Sequence, residues 1–272
     1  MDRQAQVAEP FDVVADTYDA VVVEFFKPIA AGLVEALAPR AGDRAVDIGC
    51  GRGAVLLQLA AAVAPGGSVV GIGLSPRMVV LASAEVVSAG LEVNVRVGDA
   101  MAPSLASGLF HLVASSLVLC FRPDPLDALR KWRSHLVDGG RLGVSTFGPY
   151  DQRWRDQVDT ALRRFAAPQM ADARTTGEQG PFGSDAGVES LVTEAGFRDV
   201  HTVRTKVSPR FDDPEHWCHW SMSVEQRQFW EAVPEDERAR VREVTFAAVE
   251  KCRADTGRIG FDQEVRYTLG VR

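Results

Sequence analysis

Cysteine is scarce, and the four that occur, Cys50, Cys120, Cys218 and Cys252, stand far apart with no CxxC pair. Structural zinc sites need ligands at short fixed spacings, and disulfide frameworks belong to small Cys-dense chains, so neither is indicated. Long apolar runs are also missing. Each hydrophobic stretch is broken by charge or glycine well short of the roughly 20 residues that span a bilayer, and the opening MDRQAQVAEPFD is too polar for a signal peptide. These absences lead to the expectation of a cytoplasmic protein with no membrane span. Positive charge falls short as well: 30 Lys and Arg stand against 37 Asp and Glu, a net charge of -7. Nucleic-acid binders gather basic side chains on one face to neutralise phosphates. The expected partner is therefore a small-molecule substrate and not a nucleic acid, while nothing in the sequence sets the oligomeric state.

What is present is a chain of 272 residues, 46% of them hydrophobic, enough for one large domain with a smaller cap. Residues 12–37 carry apolar side chains at helical spacing and read as N-terminal helices ending before Pro39. Strand-like segments at 44–48, 68–73, 91–98, 110–117 and 141–147 then alternate with helical ones at 54–64, 75–90 and 125–137. Ser75-Pro76 supplies an N-cap followed by proline at the first helical position. Strands separated by helices of this length pair in parallel through right-handed crossovers, which predicts a doubly wound α/β sheet with ligands at the carboxyl ends of its strands. Past Phe147 the regularity lapses. A helix at 151–167, a loop at 174–183 and a Ser-capped helix at 184–196 precede strands at 200–211 and 261–271, taken as a closing pair around a helical stretch at 214–256. The expected division is a helical lid over 1–40, a cofactor-binding core over 41–148, and a C-terminal part over 149–272. That last part completes a mostly parallel seven-stranded sheet and carries cap insertions near 149–183 and 212–257.

The chemistry centres on Asp47-Ile48-Gly49-Cys50-Gly51-Arg52-Gly53, set between a strand and a helix, where glycines let the backbone turn tightly and approach a ligand. The loop lacks the G-x-G-x-x-G spacing of pyrophosphate binders, and an acid precedes its first glycine by two positions. Three further motifs follow in order: Phe11-Asp12-x-x-Ala15-x-x-Tyr18-Asp19, Gly98-Asp99-Ala100, and Leu136-Val137-Asp138-Gly139-Gly140-Arg141-Leu142. Together, over residues 11–148, they resemble the class I S-adenosylmethionine-dependent methyltransferases, in particular the small-molecule branch that includes the ubiquinone and menaquinone biosynthesis enzymes.

The resemblance implies S-adenosylmethionine as cofactor and a set of residues around it. Asp47 and the backbone of Gly49, Cys50 and Gly51 would face its methionine part, with Gly53 closing the loop. Gly73, Leu74, Ser75 and Met78 would border the ribose, Gly98, Asp99 and Ala100 the adenine. Tyr18 would lie on a lid, and Ser115 would form part of the floor. From the residues themselves, Phe25, Ser116, Phe147, Trp217 and Trp220 are the candidates for the acceptor pocket, Trp217 and Trp220 sharing one face of a helix rich in aromatics. One departure stands out: the second strand of the family commonly ends in an acid that takes both ribose hydroxyls, and here that position is Gly73. Losing such a contact weakens binding by roughly 1.5 to 3 kcal/mol unless another group replaces it. A second is His111, where the family usually has Asp, and its early place in the strand predicts a structural role.

By residue type, His216 and His219 are the candidate general bases, since imidazole titrates near neutrality. The function that follows is methyl transfer to an O, N or C atom of a small, fairly apolar molecule, with natural-product tailoring as the expected setting. Gly73 motivates the alternative, a methyltransferase fold turned to cyclisation, rearrangement or decarboxylation.

Overall fold

The computed structural model describes residues 9, 11–18, 23–165, 180–224 and 226–272. Asp19 of the first motif, and residues 166–179 of the expected cap, lie outside them. Nine strands are present among the described residues: β1 (Arg44–Ile48), β2 (Ser68–Gly73), β3 (Val93–Val97), β4 (Phe110–Ser116), β5 (Leu136–Tyr150), β6 (Arg198–Val207), β7 (Arg210–Phe211), β8 (Ile259–Gly260) and β9 (Gln263–Val271). Seven form one sheet in the order β3-β2-β1-β4-β5-β9-β6, and β7 pairs with β8 in a small ribbon. Pairing is parallel from β3 through β5, whereas β9 runs antiparallel to both β5 and β6. The expected seven-stranded, mostly parallel sheet with a closing strand pair is what the chain forms.

Alternation along the central strands divides the core in two. Ala45, Leu112 and Ala114 face one side, where α1 (Phe26–Leu37) and α2 (Ala54–Val63) bury Leu33, Leu37, Leu56 and Leu59. Val46 and Val113 face the other, against Leu129 and Trp132 of α4 (Pro125–His135) and Val188 of α5 (Asp185–Glu194). Between β2 and β3 runs α3 (Pro76–Ser88), and the predicted cap is in place, with the Ser75 hydroxyl accepting from the Met78 amide at 3.1 Å. His111 is structural as expected, its Nδ1 accepting from the Arg44 amide at 2.9 Å.

Three expectations are corrected. The helix read over 125–137 ends at His135, because Leu136 is already extended and begins β5. The strand read over 200–211 is two, since Pro209 can donate no ladder hydrogen bond. The helical stretch 214–256 is likewise broken, into α6 (Pro214–Met222), α7 (Arg227–Ala232) and α8 (Arg238–Glu250). The Ser223 hydroxyl folds back onto the Trp220 carbonyl at 2.8 Å and closes α6. Val233, preceding Pro234, is held extended and ends α7. No helix of the described residues is long and apolar enough to cross a membrane.

Candidate functional site

Chain order reverses between β1 and β4, and a cavity of about 220 Å³ opens there, outside the carboxyl ends of β1, β2 and β4. The end of β1 and the loop after it form one wall through Asp47, Gly49, Cys50 and Gly51. Gly49 has φ +85°, and a Cβ on it would sit 2.2 Å from Val118 Cγ2, so no larger residue fits between this turn and the loop after β4. The Gly49 and Cys50 amides both donate to the Ile72 carbonyl, at 2.7 and 2.9 Å. They tie β1 to β2, so neither amide is a free donor for the cofactor's methionine part, which the backbone of Gly49, Cys50 and Gly51 is expected to face. Gly53 opens α2 in a left-handed conformation and is not on the cavity wall.

Asp47 lies on the wall yet is only 1% exposed. One of its oxygens, Oδ2, is buried without a hydrogen-bond partner. Burial pushes its pKa up to about 7, against a backbone hydrogen bond from Leu56 that lowers it. A buried carboxylate oxygen without a donor is a site prepared for a cation or a strong donor from a ligand.

The second wall is Gly73, Leu74, Ser75 and Met78, continued by Gly98 and Ala100. Asp99 lies between those last two in sequence but is not on the wall; its Oδ1 accepts from the Met101 amide at 2.9 Å and stands 3.8 Å from Arg122 Nη1. Arg122 does line the cavity. Its side chain is 9% exposed, its Nε is buried without a partner, and burial lowers its pKa against the opposing pull of Asp99.

Residues 11–18 roof this part through Phe11 and Tyr18. Asp12 accepts from the Ser75 hydroxyl and from the Arg77 amide, Asp16 pairs with Arg77, and Tyr18 stacks on Phe26 with centroids 4.9 Å apart. The far end of the cavity is aromatic. Phe25 packs against Trp220 at 5.4 Å and Phe147 at 6.1 Å, with Phe121, Val224, Gln226 and Gln228 completing the wall.

The structure thus brings most of the anticipated residues together and leaves several out. Tyr18, Ser116, Phe25, Phe147 and Trp220 line the cavity, while Ser115 is turned inward and donates to the Ile48 carbonyl at 2.7 Å. Trp217 is buried in the cap against Trp154 and Trp230, both at 6.0 Å. Neither histidine reaches the cavity. His216 lies edge-on to Phe211 and 3.4 Å from Asp212, and His219 is exposed beside Glu215 at 3.6 Å. Sequence reasoning missed Phe26, Arg52, Leu117, Val118, Phe121 and Arg122, although Arg52 sat inside the motif and the rest follow Phe25 or β4 directly. Gln226 and Gln228 carried no sequence signal. Leu117 has φ +58°, a left-handed backbone unusual for leucine, at the point where β4 meets the cavity.

Comparison with known proteins agrees with this geometry. The family described as "Methyltransferase domain" matches residues 45–140. Nocamycin O-methyltransferase of Saccharothrix syringae is 35% identical over 244 residues, 85% of this chain and 86% of that protein. Aklanonic acid methyltransferase of a Streptomyces species (strain C5) is 39% identical over 142 residues, 52% of this chain and 64% of that protein. Among solved structures, the YcgJ protein of Bacillus subtilis superposes with a TM-score of 0.59 at 17% identity, over 89% of this chain and 97% of its own. Phosphoethanolamine N-methyltransferase 2 of Haemonchus contortus, solved with S-adenosyl-L-methionine, gives 0.52 at 16% identity, over 90% and 52%. The two structural likenesses concern the fold.

Proposed function

The chain belongs to the S-adenosylmethionine-dependent methyltransferase family, and from that premise we propose that it methylates an oxygen of a small, aromatic natural-product intermediate in the cytoplasm. Its cofactor is S-adenosylmethionine, which supplies an electrophilic methyl group on a sulfonium. Methyl transfer to a small molecule is its activity. Oxygen as the acceptor atom is supported by the likeness to nocamycin O-methyltransferase across 85% of the chain.

The site fits that cofactor. The unpartnered Asp47 Oδ2 suits the ammonium of its methionine part. Gly73, Leu74 and Met78 would border the ribose and Gly98 and Ala100 the adenine, with Asp99 behind them beside Arg122, which lines the cavity. Tyr18, tied to the loop by Arg52, would cover the cofactor.

One observation carries the acceptor assignment. Phe25, Phe147 and Trp220 line the same cavity as the cofactor loop, so a flat apolar molecule among them would share the site with the donor. Rate acceleration then comes chiefly from alignment, worth up to roughly 7 to 11 kcal/mol when two reactants are held in near-attack geometry. The non-methylating alternative rests on Gly73 alone and gains nothing from the site. The test is calorimetry with S-adenosylhomocysteine followed by incubation with methyl-labelled cofactor and aromatic acceptors. Failure to bind the cofactor product would overturn the assignment.

A further inference from the structure

Arg122 is fixed on the cavity wall by its neighbours in the chain. Its amide donates to the Leu119 carbonyl at 3.1 Å, closing the turn Leu119–Phe121 after β4, and Pro123 holds its backbone extended before α4 begins. The side chain that leaves this point lines the cavity and is only 9% exposed. Its Nη1 stands 3.8 Å from Asp99 Oδ1, which places the guanidinium at the end of the cavity bordered by Gly98 and Ala100, the wall residues on either side of Asp99. That border is itself held in place: the Gly98 amide donates to the Gly73 carbonyl at 2.9 Å, and the Ala100 carbonyl accepts from Trp132 Nε1 at 2.7 Å.

A guanidinium carries five N–H donors and stays charged near neutral pH, even where burial lowers its pKa as it does here. At 3.8 Å, Asp99 offers it charge but no hydrogen bond, and Asp99 Oδ1 already accepts from the Met101 amide at 2.9 Å. Arg122 Nε is buried without a partner among the described residues. Stability does not account for such a group, since an apolar pair of similar volume is often as good as a buried ion pair or better. Donors left unpaired on the wall of a cavity are matched instead by an acceptor that a ligand brings. Asp99 is off the wall, so what the cavity meets at this end is a donor rather than a carboxylate.

Resting on the cofactor placement proposed above, we propose that Arg122 binds the adenine of S-adenosylmethionine, its guanidinium donating a hydrogen bond to one of the ring nitrogens N1, N3 and N7. These three carry free lone pairs, whereas the exocyclic amino group is itself a donor and cannot serve an arginine. The pairing suits a neutral base. Asp99 balances the charge of the guanidinium, and what remains for the ligand is a directed donor on a wall of fixed backbone.

Calorimetry on the full chain tests this with S-adenosylhomocysteine and its 1-deaza, 3-deaza and 7-deaza analogues, in each of which a C–H replaces one ring nitrogen. One analogue should bind the wild type roughly 10- to 100-fold more weakly than the parent, the worth of a hydrogen bond to a charged group. In Arg122→Met the deficit of that analogue should shrink by about tenfold or more, while the deficits of the other two stay as they were. Arg122→Met leaves Asp99 without its counter-charge and can weaken the fold. The double variant Asp99→Asn with Arg122→Met removes both charges together and should show the same pattern. Deficits that are identical in the wild type and in both variants overturn the inference; a guanidinium that only packs against the base, or that serves the methyl acceptor instead, gives that result. Equal affinity of the wild type for all four ligands overturns it too, and in both cases the methyl-transfer reading stands. A wild type that does not bind S-adenosylhomocysteine at all brings down the functional reading itself.

Discussion

Arg52 donates from Nη1 to the Tyr18 carbonyl at 2.9 Å, so the turn beneath the cavity carries the segment above it. The same guanidinium stands 3.4 Å from Glu85 of α3, which holds it between residues 11–18 and that helix. Removing it should loosen the roof without harming the core.

In Arg52→Ala, the dissociation constant for S-adenosylhomocysteine should rise by about 5- to 30-fold, the range for one charge-assisted hydrogen bond, about 1 to 2 kcal/mol. The melting temperature should stay close to that of the wild type, because Arg52 spans no packed core. Calorimetry and a thermal melt check the two halves, and an unchanged affinity would mean that the roof and the loop are not coupled.

Asp47 should make cofactor binding depend on pH. Its folded-state pKa, raised by burial from 3.8 to about 7, means that the ligand-free protein holds a proton there that the unfolded chain has lost. That group therefore costs stability progressively as pH rises from about 4 to about 7, and no further above. A cofactor ammonium reverses the preference by favouring the carboxylate. Affinity for S-adenosylhomocysteine should consequently strengthen as pH rises towards 7, by at most about tenfold per unit, and level off beyond it. Asp47→Asn should bind more weakly and flatten the profile. A wild-type profile without slope between pH 5.5 and about 7 would show that Asp47 does not meet the cofactor's charge.

Much of this was legible in the sequence because it depends on local rules. The Ser75-Pro76 cap, the strand–helix alternation and the turn at Gly49 each follow from neighbouring residues, and the structure keeps them. The remainder depends on distant partners. That the Gly49 and Cys50 amides serve the Ile72 carbonyl, that Ser115 turns in to Ile48, and that Asp99 sits behind the wall beside Arg122 are contacts across strands and loops that no motif encodes. The cap misled for a similar reason. Trp217 and Trp220 are three residues apart on α6 and share a face, yet Trp220 meets Phe25 while Trp217 is taken up by Trp154 and Trp230. Which ring becomes wall and which becomes core is decided by the helical segment after β5, outside any local pattern.

The two tryptophans should therefore separate. Trp220→Ala should raise KM for the acceptor more than it weakens cofactor binding, since its ring stands at the aromatic end of the cavity. Trp217→Ala should instead lower stability by about 3 to 5 kcal/mol, as truncation of a buried aromatic does. His216→Ala and His219→Ala should leave turnover essentially intact. Loss of turnover in either histidine variant, with its melt unchanged, would restore the general base that the geometry denies.

The last prediction concerns Gly73, the position from which the family's ribose acid is missing. Ser75 is a poor replacement, because its proton is given to Asp12 and one of its lone pairs to the Met78 amide. Gly73 is not in the left-handed region, so an aspartate there meets no backbone strain. Space is the obstacle: a Cβ would lie 3.0 Å from Val79 Cγ2 and 3.3 Å from Cys50 Sγ. Both neighbours must yield by a few tenths of an ångström before a carboxylate can reach the two hydroxyls. Gly73→Asp alone should therefore improve S-adenosylhomocysteine affinity only about threefold, part of the gain being spent on that displacement. Combined with Val79→Ala, which removes the nearer methyl, the same acid should improve it by about 10- to 100-fold over Val79→Ala alone, the full worth of a bidentate charge-assisted contact. Calorimetry on the four proteins of this cycle gives the coupling directly. If the two substitutions act independently, crowding by Val79 is not what limits the acid. If neither variant carrying Gly73→Asp binds more tightly than its parent, the ribose does not lie over the end of β2, and the cofactor placement proposed for this wall is wrong.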